Sequence, residues 1–163
     1  FKQKTAYEML HGKYIYVTAK CGYATPENPL NRPGWHCDGF GSNDVNYIWS
    51  NRYGTRVAIQ PFPGISPDHV ESMDQFEEMV RPECVHPVPE GALIRLTPYV
   101  VHATPIIPPP GTPRQFVKIS ISSAKYNLRG NSHNYDFDYS WRMWTREEIR
   151  NDPVYAQGDF GPQ

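Results

Sequence analysis

The sharpest pattern in the chain lies at Arg114–Ser122, where side chains alternate with a period of two. An extended backbone puts Gln115, Val117, Ile119 and Ile121 on one face and Arg114, Phe116, Lys118, Ser120 and Ser122 on the other. One face is apolar and its reverse cationic and hydroxylic. On an open sheet the polar face would meet solvent; inside a small barrel it would be a binding wall. Lys13–Ala19, bounded by Gly12 and Gly22, is rich in β-branched and aromatic residues and predicts a second strand. Similar runs at Asn46–Ser50, Thr55–Gln60 and Ala92–Thr97 predict three more. Two helices are expected. One runs from about Pro67 to Val80, with Ser66 as N-cap and Pro67 in the first turn, where its missing N–H costs nothing. The other begins at Thr145, whose Thr-Arg-Glu-Glu sequence has the form of a capping box.

Composition strengthens the β reading. The chain has 17 prolines in 163 residues, with 12 glycines and 13 % aromatic residues. Proline removes a backbone donor and collects at turns and sheet edges, whereas aromatic side chains favour the faces of strands. A bundle of long helices is excluded, and a mainly β domain with a few peripheral helices is expected. The length predicts a single domain over residues 1–163. A net charge of -1 supplies no general field for a polyanion, so nucleic acid is not indicated as a partner. No stretch approaches a membrane span, and nothing near Phe1 resembles the apolar core of a signal peptide. Starting at Phe, the chain reads as a trimmed fragment. Three cysteines, Cys21, Cys37 and Cys84, with no CxxC pair, argue against a disulfide framework and fit a reducing, cytoplasmic setting.

The candidate chemistry begins at Trp35-His36-Cys37-Asp38-Gly39. A His and an Asp two apart on an extended backbone point the same way and are able to share an ion. Alone the pair is a weak site. His102, 66 residues after His36 and following the apolar run Leu93–Val101, offers a third ligand. Two imidazoles and one carboxylate make the facial triad of non-haem Fe(II), which leaves the opposite face open. Arg114 lies twelve residues beyond His102, and Lys118 four further along the same strand face. Arg binds carboxylate oxygens with a planar fork, while Lys118 and Ser120 add a point charge and a hydroxyl. No metal-ligand role is read for His11, His69 or His86, His133 reads as a loop residue, and no G-x-S-x-G or Walker-type loop is present.

These residues, spread from Trp35 to Ser122, resemble the Fe(II)/2-oxoglutarate-dependent dioxygenases, whose pattern is H-x-D, a distal His, and a basic residue ten or more positions later. His36, Asp38, His102 and Arg114 fit that order, and Val101-His102-Ala103-Thr104-Pro105 is similar to the family's distal-His turn. Lys118-Ile119-Ser120 also matches the family's R/K-x-S form, so both cations are carried over, Arg114 first. The Pro-rich stretch Ile106–Gly111 between His102 and Arg114 departs from the pattern. The resemblance implies a double-stranded β-helix, or jelly roll. It implies iron held by His36, Asp38 and His102, with 2-oxoglutarate anchored by Arg114, Lys118 and Ser120. Oxygen would be the co-reactant, succinate and CO2 the by-products, and hydroxylation of a small-molecule or peptide substrate the outcome. Tyr14, Tyr16, Asn46, Tyr47 and Trp49 are candidate substrate-lining residues. Two rivals remain: a cupin-like metalloenzyme that uses no keto acid, and a non-catalytic jelly-roll binding module. Neither the oligomeric state nor the substrate is legible at this level.

Overall fold

A computed structural model describes residues 10–39 and 42–123. The helix expected at Thr145 and His133 lie outside the described residues. Strand β1 spans Tyr14–Ala24, β2 Val45–Ser50, β3 Arg56–Ala58, β4 Val85–Pro87, β5 Ile94–Leu96, β6 His102–Ala103 and β7 Thr112–Ser122. Helix α1 covers His69–Met79, and a 3-10 turn over Pro82–Cys84 leads from it into β4. The strands form two antiparallel sheets, one in the order β1-β7-β2-β5 and the other β4-β3-β6. The chain passes from the larger sheet to the smaller between β2 and β3, returns for β5, crosses again for β6 and comes back for β7. The mainly β expectation therefore holds among the described residues.

β7 is the central rail of the larger sheet. It pairs with the whole of β1, from Tyr14 opposite Ser122 to Ala24 opposite Thr112, and on its other edge with β2, from Val45 opposite Ile121 to Ser50 opposite Phe116. This register decides the question that the alternation left open. Arg114, Phe116 and Ser122 are buried, while Gln115 is exposed and Val117, Ile119 and Ile121 are half-buried. The cationic and hydroxylic face looks inward, which is the inverse of a sheet lying on an apolar core. Cross-strand neighbours extend that inner face to Thr18 and Lys20 on β1 and to Asn46 and Ile48 on β2.

The apolar packing is split. Ile48, Leu96 and Phe116 cluster on the larger sheet, and Trp35, Ala58, Phe76, Val101 and Ala103 gather where α1 covers the smaller one. Phe76 meets Phe62 edge-on with ring centroids 5.3 Å apart. Gly54 shows how close the backbones come, since a Cβ there would lie 1.9 Å from the Val88 carbonyl oxygen.

Several boundaries differ from expectation. α1 is capped by Asp68, whose side chain accepts from the Val70 and Glu71 amides, and not by Ser66. Ser66 instead accepts from the Asp68 amide and donates to Glu71. Pro67 consequently precedes the cap. β1 runs five residues past Ala19 because β7 offers partners along its whole length. The β strand expected at Thr55–Gln60 shrinks to Arg56–Ala58, and that at Ala92–Thr97 to Ile94–Leu96.

Candidate metal centre

His36 and His102 are brought together by backbone pairing. The His36 amide donates to the His102 carbonyl at 3.0 Å and the His102 amide to the His36 carbonyl at 2.9 Å, an isolated antiparallel bridge beside β6. β6 itself pairs Val57 with His102, so the distal histidine is held on both edges. The imidazole centroids stand 4.5 Å apart. Each ring is also fixed in rotation by its own second neighbour upstream: His36 Nδ1 bonds the Gly34 carbonyl at 2.9 Å and His102 Nδ1 the Val100 carbonyl at 2.9 Å. A protonated Nδ1 donating to a carbonyl leaves Nε2 as a lone pair, and outer hydrogen bonds of this kind orient metal-ligating histidines. Gly34 adopts φ +84°, and a Cβ there would lie 2.9 Å from the Met73 methyl, so this carbonyl is placed by a backbone turn that favours glycine.

Asp38 completes the cluster. Its Oδ1 lies 4.0 Å from His36 Nε2 and its Oδ2 3.8 Å from His102 Nε2. One donor atom from each of the three residues falls within 4.8 Å of the others. Two nitrogens and one carboxylate oxygen spaced in this way fit a divalent first-row ion. Lys118 Nζ donates to Asp38 Oδ2 at 3.2 Å.

The electrostatics favour the forms a metal needs. Burial, reinforced by His102, pulls His36 down from 6.5 to about 4, so its imidazole is neutral at pH 7. Burial alone would raise Asp38, but Lys118 foremost, then the two histidines, hold its carboxyl below the usual range. Cys37, between the two ligands in sequence, is pushed up to about 12 by burial and by Asp38, which makes it an inert thiol. The His36 shift has a sign for folding. Because the unfolded chain protonates near 6.5 and the folded site only near 4, stability is intact above pH 6.5 and is lost as pH falls through that interval. The metal-free protein is expected to show a melting temperature that declines from pH 6.5 to pH 4, and His36→Asn is expected to flatten the slope; thermal melts across that range check it.

The triad lies in the wall of a cavity of about 300 Å³ lined from both sheets, with Thr18, Lys20, Ile48, Phe116 and Lys118 from the larger and His102 and Ala103 from the smaller. Of the two cations singled out in sequence, Lys118 lines this space and Arg114 does not. Arg114 is wholly buried. Its Nε donates to the Arg52 and Tyr53 carbonyls at 3.0 and 3.2 Å, and its Nη1 to the Pro29 carbonyl at 3.3 Å and to Asn31 Oδ1. Nη2 is buried without an acceptor among the described residues. Ser120 donates to Asn46 Oδ1, which engages both side chains with each other.

The five substrate-lining candidates lie away from the cavity lining. Tyr14 and Tyr16 stack on each other at 6.4 Å at the start of β1, and the buried Asn46 is taken by its cross-strand neighbour Ser120. Tyr47 and Trp49 require a correction: they alternate with the buried Asn46 and Ile48 and so occupy the reverse face of the sheet, where Trp49 Nε1 donates to the Gly91 carbonyl. Thr18, Lys20, Asn31, Arg32, Thr55 and Thr104 line the cavity and escaped the sequence reading. Thr18 shares a face with Tyr14 and Tyr16 inside the expected strand, and Lys20 joins that face once β1 is extended past Ala19.

No protein-family model, curated protein or solved structure matches the chain. Among the described residues, no helix is long and apolar enough to cross a membrane.

Proposed function

We propose that the protein is an Fe(II)- and 2-oxoglutarate-dependent oxygenase on a double-stranded β-helix, hydroxylating an organic substrate with release of succinate and CO2. The observation that carries this reading is the convergence of His36, Asp38 and His102 in the wall of a cavity that also presents Lys118. The repeated exchange of strands between two sheets that both line the cavity supports the architecture. When bound, iron with 2-oxoglutarate and oxygen would supply the oxidising chemistry. His36 and His102 present Nε2 and Asp38 a carboxylate oxygen. Lys118, within reach of Asp38, balances the carboxylate and offers a charge to the far carboxylate of 2-oxoglutarate, with Ser120 next along the strand face. Arg114, wholly buried and outside the cavity lining, is left to its loop contacts, so the anchoring charge falls to Lys118.

A second reading, a metalloenzyme that uses no keto acid, is favoured by one contact, since Lys118 is already paired with Asp38. Turnover separates the two. The Fe(II)-loaded protein is expected to release succinate from 2-oxoglutarate under air, and Lys118→Met to cut that rate by at least about tenfold, the loss typical of a charged hydrogen bond. Tight iron binding with no succinate from any preparation would give the second reading the site.

A further inference from the structure

The cavity carries more positive charge than a metal and its cosubstrate require. Three cationic side chains, Lys20, Arg32 and Lys118, line it against one carboxylate, Asp38. A divalent ion and a dianionic cosubstrate cancel each other and Lys118 is paired with Asp38, so the charge of Lys20 remains after both are bound. The cations are also separated in space. Lys118 touches Asp38 at the depth of the metal ligands, whereas Lys20 sits opposite Phe116, two residues along β1 from Thr18, the partner of Lys118. Two strand residues span about 7 Å, so Lys20 marks a second position along the wall. Lys20 and Thr18 are exposed while His36 and His102 are buried, which places this second position on the solvent side.

The neighbouring donors suit an oxyanion. Lys20 Nζ holds the Leu30 carbonyl at 3.1 Å, a single bond that leaves two of its three hydrogens for a ligand. Asn31 gives its Oδ1 to the buried Arg114, so its amide side offers only donors to the cavity it lines. Arg32 is braced by His69 and by the Met73 sulfur at 2.7 Å, and its charge reaches as far as His36, which it helps to keep neutral. Thr18 adds a hydroxyl.

We infer that the substrate is a small anion whose carboxylate or phosphate group is received by Lys20 and Asn31, with Arg32 beside them, on the outer half of the cavity. This rests on the oxygenase reading for its assignment of the inner half to 2-oxoglutarate. Substrates of this class bind with their charged end outward and present an uncharged carbon toward His36 and His102.

Binding to the full chain loaded with Mn(II) and 2-oxoglutarate tests the inference, with acetate and methyl phosphate as probes and calorimetry as readout. One probe is expected to bind one-to-one without displacing 2-oxoglutarate. Lys20→Met should weaken it about tenfold and Lys20→Arg should retain it, as for one charge-assisted contact. Neither variant should change the affinity for 2-oxoglutarate. Preference for methyl phosphate or for acetate then tells a phosphate ester from a carboxylate. If 2-oxoglutarate fails to bind but a probe binds in a Lys20-dependent way, the oxygenase reading falls and the anion site stands. Competition between probe and 2-oxoglutarate for one site, affinity indifferent to Lys20→Met, or no saturable binding of either probe overturns the inference.

Discussion

Asp38→Ala is expected to abolish high-affinity binding of Fe(II) or Mn(II), with a loss of well over about 100-fold, more than the 10- to 100-fold typical of removing an outer-shell partner. Two histidines would remain, but Asp38 is the sole anionic ligand of the triad and the partner of Lys118. Without it the arriving cation meets an uncompensated ammonium group. His102→Ala is expected to act similarly, because it removes one of the two imidazole ligands while the main-chain bridge that places His36 stays intact. Mn(II) binding followed by electron paramagnetic resonance, with circular dichroism to verify the fold, measures both effects. Wild-type affinity in a folded Asp38→Ala protein would end the metal-centre assignment.

The second large effect is expected at Arg114. Its guanidinium joins two separate loops, taking the Pro29 carbonyl and Asn31 from one and the Arg52 and Tyr53 carbonyls from the other. Those loops contain Leu30 at φ 66° and Tyr53 at φ 46°, the non-glycine residues of positive φ among those described. Left-handed backbone costs a non-glycine residue about 1–2 kcal/mol, so each loop needs an external constraint. Arg114→Leu strips these part-buried acceptors of their shared donor and releases both loops; a loss of about 3 kcal/mol is expected, the lower end of the range for removing one partner from a buried charged network. For a chain of this size that corresponds to a fall of roughly 10 °C in melting temperature. Arg114→Lys should recover only part of it, because an ammonium group lacks the planar fork that spans both loops. A melting temperature for Arg114→Leu equal to wild type would refute the pinning role.

The sequence disclosed the triad better than its surroundings. His36 and Asp38 are near neighbours on the chain, and the alternation through Lys118 and Ser120 is local, so both patterns survive without knowledge of the fold. β4 and β6, three and two residues long, carry too little periodicity to register; they are strands because β3 lies between them. Lys20-Cys21-Gly22-Tyr23 has no strand signature of its own and is extended because β7 pairs with it. Arg114 was legible as a cation on a packed face, but its acceptors are carbonyls 61 to 85 residues away, which no residue type announces. The helix start was ambiguous for a different reason: Ser66 and Asp68 are both good caps, and Asp68 lies nearer the first amides.

The reciprocal peptide bonds between His36 and His102 have a bearing on which ions the protein accepts. They make the two imidazoles a pincer of fixed bite, set by main-chain geometry and indifferent to what lies between the tips. Asp38, two residues outside that clasp, is the adjustable arm. Accommodation of a larger or smaller ion therefore falls on one carboxylate, and discrimination among metals of similar radius falls to whatever occupies the remaining coordination positions.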